Sequence, residues 1–263
     1  MDPEYLRLSG RVLLLAAHPD DEAIGAGAQL PEWKDRVLIL HATDGAPRKG
    51  CHAENAGYKT PADYAAARRS ELACALHLAG IGPAQLRQVL IPDQEAMLHL
   101  ARLTITVAQV IGEFRPDCVL THPYEGGHPD HDSCAFAARA ALARVPETPA
   151  LVEFTSYHAG RQGVIAGSFL GAHSYASFPL DERQRELKQK MFDCHRTQQH
   201  ILKLFPIEAE KFRLAPEYDF TQPPHEGRLH YENLNWGIDG ARWREHAVEA
   251  LQQLGINHAV HRS

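Results

Sequence analysis

Two short segments of the sequence combine histidine with aspartate in a pattern that suits metal-assisted hydrolysis. The first is His18-Pro-Asp20-Asp21-Glu22, which places three consecutive carboxylates after an imidazole. Adjacent carboxylates repel one another unless a positive group lies among them, and a divalent metal ion supplies that charge directly. A helix N-cap is the simpler alternative, because an aspartate there accepts backbone N–H bonds. Capping accounts for one acid but not for a histidine and three acids, so this segment favours a metal site.

The second segment, over residues 126–132, reads Gly-Gly-His128-Pro-Asp130-His131-Asp. His131 can complete a metal site with His18 and one of the aspartates at positions 20 and 21. Two imidazole nitrogens and one carboxylate are a ligand set typical of catalytic zinc, with a fourth position left for water. Each histidine alone has an ordinary interpretation as a surface or core residue. Together, at one edge of a sheet, they predict a metal centre.

Continuous apolar runs predict the strands that position these segments. The runs cover residues 12–17, 37–40, 118–120 and 151–157, and the first and third precede the two segments. Strands that are apolar on both faces are typical of a parallel sheet covered by helices. Ligands bind beyond the carboxyl ends of such strands, where successive connections diverge. We therefore expect both segments at the same rim of the sheet.

Helical patterns alternate with these runs over residues 64–78, 95–114 and 132–143, and further helices are predicted over 181–199 and near 241–254. This alternation predicts an α/β, Rossmann-like three-layer sandwich, with a mostly parallel sheet, helices on both faces and a C-terminal elaboration. The C-terminal part is rich in aromatic residues, for which core packing is the main interpretation. Stacking on a sugar and packing in an oligomer are the alternatives for Tyr218, Phe220, Tyr231, Trp236 and Trp243.

The composition narrows the class of protein. The chain has 263 residues, of which 44% are hydrophobic and 23% charged, as is usual for a globular protein. A net charge of −6 offers no basic surface to nucleic acid or anionic membranes. The acidic start, Met-Asp-Pro-Glu, argues against a secretory signal, and the nearby apolar run is too short to span a bilayer. Five scattered cysteines without a Cys-x-x-Cys motif predict neither a disulfide framework nor a thiolate zinc site, and favour a cytoplasmic location.

Together, the two segments resemble the paired signatures of the PIG-L/LmbE-like family of zinc-dependent N-deacetylases. The resemblance covers the region of residues 10–200. It implies an LmbE-like catalytic domain over residues 1–205, with a C-terminal extension over residues 206–263 packed on the same domain. It also implies removal of an N-acetyl or other N-acyl group from an aminosugar or GlcNAc-like conjugate by attack of metal-activated hydroxide.

The same resemblance assigns roles to individual residues. The metal ligands are His18, Asp21 and His131, holding one Zn²⁺ per chain, with Fe²⁺ as the alternative ion. Asp20 is the general base, which takes a proton from the attacking water and returns it to the leaving amine. His128 stabilises the oxyanion, and Asp130 orients or charges that histidine.

Weaker matches concern substrate binding. Arg68, in an Arg-x-x-Glu pattern, resembles an arginine that faces substrate, and Asp93 resembles an aspartate that binds sugar hydroxyls; a solvated helix face and a turn are their ordinary interpretations. Some members of the family carry a tyrosine at the position of Gly126, where Tyr124 is the nearby tyrosine of this chain. The substrate itself therefore does not carry over.

Two other functions are compatible with the sequence. One is a metal-dependent hydratase of a small unsaturated dicarboxylic acid on the same scaffold, with Arg48, Lys49 and Arg68 as candidates for binding the second carboxylate. The other is a non-catalytic metal-binding or sugar-binding protein, against which the presence of Asp20 argues. We expect a small sugar-like substrate, no nucleic-acid partner and no membrane span, and leave assembly into a homo-oligomer open.

Overall fold

A computed structural model describes residues 10–161 and 163–256. The acidic tetrapeptide at the N-terminus lies outside these residues. Within them, nine strands form a large sheet and a separate two-stranded ribbon. The strands are β1 (Val12–Ala16), β2 (Val37–Pro47), β3 (Leu86–Asp93), β4 (Cys118–Thr121), β5 (Ala150–Phe154), β6 (Tyr157–Gly160), β7 (Gly163–Ala166), β8 (Ala176–Pro179) and β9 (Ala209–Leu214).

The large sheet has the strand order β3-β2-β1-β4-β5-β9-β8. From β3 to β5 every pair of neighbours is parallel, with Val12 opposite Val37 on one side and opposite Cys118 on the other. β9 then pairs antiparallel with both β5 and β8. The ribbon consists of β6 and β7, which are also antiparallel.

Helices cover both faces of the sheet. They are α1 (Asp21–Ala26), α2 (Leu30–Trp33), α3 (His52–Asn55), α4 (Pro61–Leu78), α5 (Leu100–Phe114), α6 (Pro129–Leu142), α7 (Glu182–Cys194), α8 (Gln199–Leu202) and α9 (Gly240–Leu254). Alternate residues of β1 divide the core: Leu14 packs in the cluster formed with α4 and α7, whereas Leu13 and Leu15 pack in the cluster formed with α5 and α6. The predicted three-layer α/β sandwich is confirmed.

The C-terminal region takes part in the same layers. β9 lies inside the sheet, between β5 and β8. α9 packs against α5 and α6 through an aromatic cluster that contains Tyr124, Phe136, Phe220 and Trp243. Phe220, Tyr231 and Trp243 are all buried, so core packing is the correct interpretation for these three. The boundary proposed at residue 205 stays a prediction.

Trp243 is expected to be important for stability. Its side chain is fully buried, and its indole N–H donates to the carbonyl oxygen of Pro129 and the hydroxyl of Ser133 at the start of α6. Trp243→Ala is therefore expected to lower the free energy of unfolding by about 3–5 kcal/mol, measured by urea denaturation. Ile105→Ala, on the exposed face of α5, is the matched control and should change it by roughly 0.5 kcal/mol or less. Equal effects of the two substitutions would contradict this account.

Cys74 and Cys194 form a disulfide between α4 and α7, with Cα atoms 5.9 Å apart. The sequence did not lead us to expect a disulfide. The two cysteines are separated by 120 residues, and only the packing of α4 against α7 brings them together. Cys51, Cys118 and Cys134 are free.

Four strands, β3, β7, β8 and β9, were not predicted from the sequence. β3 lies at the edge of the sheet, and only Ile91 and Asp93 of its residues are buried. Its apolar run, Val89-Leu90-Ile91, is short and was not interpreted as a strand. Among the helices of residues 10–161 and 163–256, none has the length and apolarity needed to cross a membrane.

Candidate active site

The two predicted segments lie together at the carboxyl ends of the parallel strands. His18 follows β1 and His131 lies in the first turn of α6, after β4; these strands are neighbours in the sheet. The chain connections diverge on either side of β1, which is the position where open α/β sheets bind ligands. Asp93, the last residue of β3, reaches the same rim.

His18, Asp21 and His131 converge on one another. His18 Nδ1 lies 3.2 Å from Asp21 Oδ2, and His131 Nε2 lies 3.4 Å from Asp21 Oδ1. The rings of His18 and His131 have centroids 5.2 Å apart. The three side chains predicted as metal ligands are therefore neighbours at the same rim.

Three overlapping groups of residues around this point could hold a metal ion through atoms that lie within 4.8 Å of one another. They are His18, His128 and His131; His18, Asp93, His128 and Asp130; and Asp21, His122 and His131. His122 was not among the predicted site residues. Its ring stacks on that of His131 with centroids 4.0 Å apart, and its Nε2 accepts a hydrogen bond from the backbone N–H of Ala17.

The second nitrogen of His131 is also held. Its Nδ1 lies 3.0 Å from Ser156 Oγ, which leaves Nε2 directed at Asp21. A partner on one ring nitrogen fixes the orientation of a histidine whose other nitrogen binds a metal. The surroundings of His131 thus suit a ligand role.

The charges at the site suit a divalent cation. Of the residues that line the pocket described below, Asp20, Asp21 and Asp93 carry carboxylates, whereas Arg68 is the sole arginine and no lysine is present. Burial acts to raise the pKa of Asp21, but His131 and His122 beside it hold that pKa well below its usual value. Burial acts to lower the pKa of His18, yet Asp93, Asp130 and Asp21 together raise it. These carboxylates thus attract positive charge to the position of His18, and the donor set fits a divalent metal.

Asp20 differs from its neighbour in conformation and partner. It has a φ of 154°, a conformation that residues other than glycine rarely adopt, and such strain is concentrated at functional sites. Although Asp20 occupies the N-cap position of α1, its side chain makes no capping hydrogen bond. Its Oδ2 instead lies 3.0 Å from Arg68 Nη2. The helix-capping alternative therefore does not account for Asp20.

Arg68 binds the turn that carries Asp20. The guanidinium also donates to the carbonyl oxygens of Pro19 and Gly45, so one side chain fixes both the carboxylate and its backbone. Burial raises the pKa of Asp20 to about 8, against the opposing effect of Arg68. The raised pKa increases the proton affinity of the carboxylate, whereas Arg68 favours its ionised form, which is the form in which a general base acts.

His128 is arranged to donate a hydrogen bond from Nε2. Its Nδ1 accepts the backbone N–H of Asp130, so in the neutral ring the proton lies on Nε2. Burial and the nearby His18 hold the pKa of His128 well below its usual value, which keeps the ring neutral. The carboxylate of Asp130 lies 3.9 Å from His128 Nδ1 but accepts the backbone N–H groups of Gln94 and Ala96. The Asp130 side chain thus lies against the loop after β3 and, at 3.3 Å, His18 Nε2.

Asp93 lies between three cationic or potentially cationic groups. Its Oδ1 is 3.2 Å from His18 Nε2 and 3.6 Å from His128 Nε2, and its Oδ2 is 3.8 Å from Arg68 Nη1. Burial acts to raise the pKa of Asp93, but His18, His128 and Arg68 lower it well below its usual value. The group is therefore an ionised acceptor on the pocket wall.

These side chains line a pocket of about 350 Å³, a volume within the range of small-molecule sites. Its other walls come from residues that the sequence analysis did not assign to the site, apart from the sugar-stacking alternative given for Trp236. They include Tyr64, Tyr157, Thr197, Gln198 and Trp236. Tyr157 packs edge-on against His131 at 5.3 Å, and Trp236 packs edge-on against His128 at 5.0 Å.

Residues 13–142 match the model of the family described as PIG-L: GlcNAc-PI de-N-acetylase. This stretch, about half of the chain, forms a domain of the PIG-L family. The resemblance drawn from the two histidine–aspartate segments is thereby confirmed, because both lie inside the matched region.

Two curated relatives of the chain are 1D-myo-inositol 2-acetamido-2-deoxy-alpha-D-glucopyranoside deacetylases. That of Kineococcus radiotolerans is 29% identical over 157 residues, which are 49% of this chain and 43% of the relative. Deacetylase 1 of Saccharopolyspora erythraea is 28% identical over 168 residues, or 52% of this chain and 55% of the relative. The chain thus spans about half the length of the curated relatives it matches.

Solved structures of deacetylases share the fold. The zinc-inhibited form of teicoplanin deacetylase Orf2 aligns with a TM-score of 0.61 and 17% identity, covering 77% of this chain and 96% of that one.

Tyr157 and Trp236 lie outside the region matched by the PIG-L family model. Tyr124 lies inside it but turns away from the pocket, donating its hydroxyl to the carbonyl oxygen of Gln222 in the aromatic cluster.

Proposed function

We propose that this protein is a metal-dependent amide hydrolase that removes an N-acetyl group from an aminosugar conjugate. The observation that carries the proposal is that the two adjacent aspartates, Asp20 and Asp21, have different partners. Asp21 faces the histidines of the predicted metal site, whereas Asp20 faces Arg68 and the pocket. A protein that only bound a metal or a sugar would not need a second, separately held carboxylate beside the first.

We propose His18, Asp21 and His131 as the ligands of one zinc ion. Two imidazoles and one carboxylate with an open position are a common catalytic zinc set, and the excess of buried carboxylates supports a divalent ion. A zinc ion held there would polarise the amide carbonyl and lower the pKa of a water molecule. Ser156 and Asp21 keep His131 in the orientation that this role requires.

Asp20 is the proposed proton carrier. It accepts a proton from the attacking water, and the charge of Arg68 supports its ionised state before that step. The protonated carboxyl then donates to the departing nitrogen, so that the products are acetate and a free amine. His128 donates from Nε2 to the carbonyl oxygen as negative charge develops on it.

Arg68 is proposed to position Asp20 and to contribute to the substrate wall of the pocket. Because lysine has one ammonium group, it cannot reproduce the contacts to Asp20, Pro19 and Gly45. Arg68→Lys is expected to lower kcat by ~10²-fold through misplacement of Asp20. Steady-state kinetics and metal analysis measure the effect. The control is Arg69→Ala, an exposed position on the same helix, and comparable losses in both variants would count against the assignment.

The direct test of the proposed function is release of primary amine from N-acetylglucosamine derivatives, followed with fluorescamine. Amine must appear in step with acetate and must stop when the metal is chelated. A second assay follows the absorbance of an unsaturated dicarboxylic acid and tests the hydratase alternative. Loss of that absorbance with no amine from any acylated sugar would refute the proposed function.

A further inference from the structure

A narrow cleft adjoins the pocket and shares part of its wall. Asp93, Gln94 and Trp236 line both spaces, so Trp236 is a common wall between the proposed catalytic centre and the cleft. The far side of the cleft is formed by Arg48 and Lys49, which follow β2, and by Arg242 in the first turn of α9. Two distant parts of the sequence thus bring positive charge to one place.

Two of these cations have no internal partner. Across residues 10–161 and 163–256, the side chains of Lys49 and Arg242 make no hydrogen bond or ion pair. Arg48 is different, because it is bound to Asp44 and to the carbonyl oxygen of Ala46. Lys49 and Arg242 therefore keep their full capacity to bind an anion at the cleft.

The cleft is more positive than the protein as a whole. Its lining contains Arg48, Lys49 and Arg242 against two carboxylates, Asp93 and Glu95. Asp93 is already paired with His18 and Arg68 at the pocket wall. In a chain with a net charge of −6, this is a local reversal of sign beside the proposed active site.

Trp236 lies where a ligand that occupied both the pocket and the cleft would pass from one to the other. Its ring is partly exposed, and it lies with its centroid 5.0 Å from that of His128 and 6.4 Å from that of His52. An aromatic ring at a pocket wall provides a rigid apolar face, on which the C–H groups of a sugar ring can pack.

We propose that the substrate crosses Trp236 and carries an anionic group, phosphate or carboxylate, that Lys49 and Arg242 bind in the cleft. This inference rests on the proposed function, since it places the acylated nitrogen of the same molecule at Asp20. It adds a substrate class, an anionic N-acylaminosugar. Charge-assisted hydrogen bonds from the two cations hold the anion and orient the sugar.

The test compares N-acetylglucosamine derivatives with and without an anionic group. They are the methyl glycoside of N-acetylglucosamine, its carboxymethyl glycoside, and N-acetylglucosamine 1-phosphate and 6-phosphate. We expect kcat/KM for at least one anionic compound to exceed that of the methyl glycoside by about tenfold, the effect of roughly 1.4 kcal/mol of binding. The carboxymethyl and phosphate compounds distinguish the two sources of negative charge.

The variant pair K49A/R242A is expected to reduce the anionic-to-neutral ratio of kcat/KM by about the same tenfold factor. R183A/R185A removes two exposed cations of α7 and serves as the charge-matched control, with an unchanged ratio. Equal use of neutral and anionic sugars by the wild-type protein would overturn the inference while leaving the proposed function intact. So would an equal loss on both kinds of substrate in K49A/R242A.

A binding measurement tests the proposed anion site even if no substrate is turned over. Calorimetric titration with glucosamine 1-phosphate, glucosamine 6-phosphate, carboxymethyl glucosaminide and methyl glucosaminide should show tighter binding of an anionic compound, and K49A/R242A should remove the difference. If no acylated sugar is turned over but this preference is found, the proposed function fails and the anion site stands. If no anionic compound binds more tightly than the neutral one, the anion site is refuted.

Discussion

Replacement of Asp20 with asparagine is expected to lower kcat by roughly 10²–10⁴-fold while the bound metal stays at the wild-type level. Asparagine keeps the shape of the side chain and can still accept a hydrogen bond from Arg68. It cannot accept a proton from water or return one to the leaving nitrogen. Because Asp20 faces Arg68 rather than the histidines, its loss should leave the metal ligands undisturbed.

The measurement pairs amine-release kinetics with metal analysis of the same preparation. Asp35→Asn, at an exposed position after α2, is the matched control for the change of charge and should keep normal turnover. If Asp20→Asn lost metal together with activity, Asp20 would have to be a ligand, and the roles of the two adjacent aspartates would be exchanged. Full activity in this variant would remove the proposed general base.

Replacement of His131 with alanine is expected to abolish both metal binding and turnover. His131 belongs to the proposed ligand set and to two of the three groups of potential ligands found at the site. The third group, formed by His18, Asp93, His128 and Asp130, lacks it, so retention of metal in this variant would point to that group. Since metal binding stabilises the folded state, the variant should also lose the protection from thermal unfolding that added zinc gives the wild type. That protection is about 2.7 kcal/mol when the ion is present at 100 times its dissociation constant.

Metal content and melting temperature with and without a chelator are the required measurements. His173→Ala, at an exposed position, is the control and should bind the ion normally. His122→Phe tests the group of potential ligands that contains His122, because it keeps a ring stacked on His131 but removes a nitrogen. Retention of metal in His122→Phe supports His18, Asp21 and His131 as the ligands, and its loss would assign the ion to Asp21, His122 and His131.

The sequence was informative where function depends on local spacing. The two segments that contain His18 and His131 each follow a strand, and adjacent parallel strands must bring such segments to one rim. The apolar runs also predicted the central strands of the sheet and their burial between two layers of helices, because strands that are apolar on both faces must be covered on both sides. His122 could have been included by the same argument, because it stands at the end of the third of these runs, directly before a proline.

Other parts of the site depend on long-range packing and had no local signal. Trp236 is one of several C-terminal aromatic residues, and nothing in its immediate sequence distinguishes it from the buried Trp243. Tyr157 was read as the end of a strand, whereas it begins the separate β6–β7 ribbon beside His131. The contact between Arg68 and Asp20 joins residues on different elements, so the sequence could suggest an arginine facing the site but not its partner.

The position of β9 has a consequence for how the chain reaches its final state. Until residues 209–214 emerge from the ribosome, the outer edge of β5 has no neighbour, and β8 has no strand to join it to the sheet. Unpaired strand edges are sites of aggregation. The edge of β5 therefore stays open after both histidine–aspartate segments have been synthesised, until residues 209–214 follow.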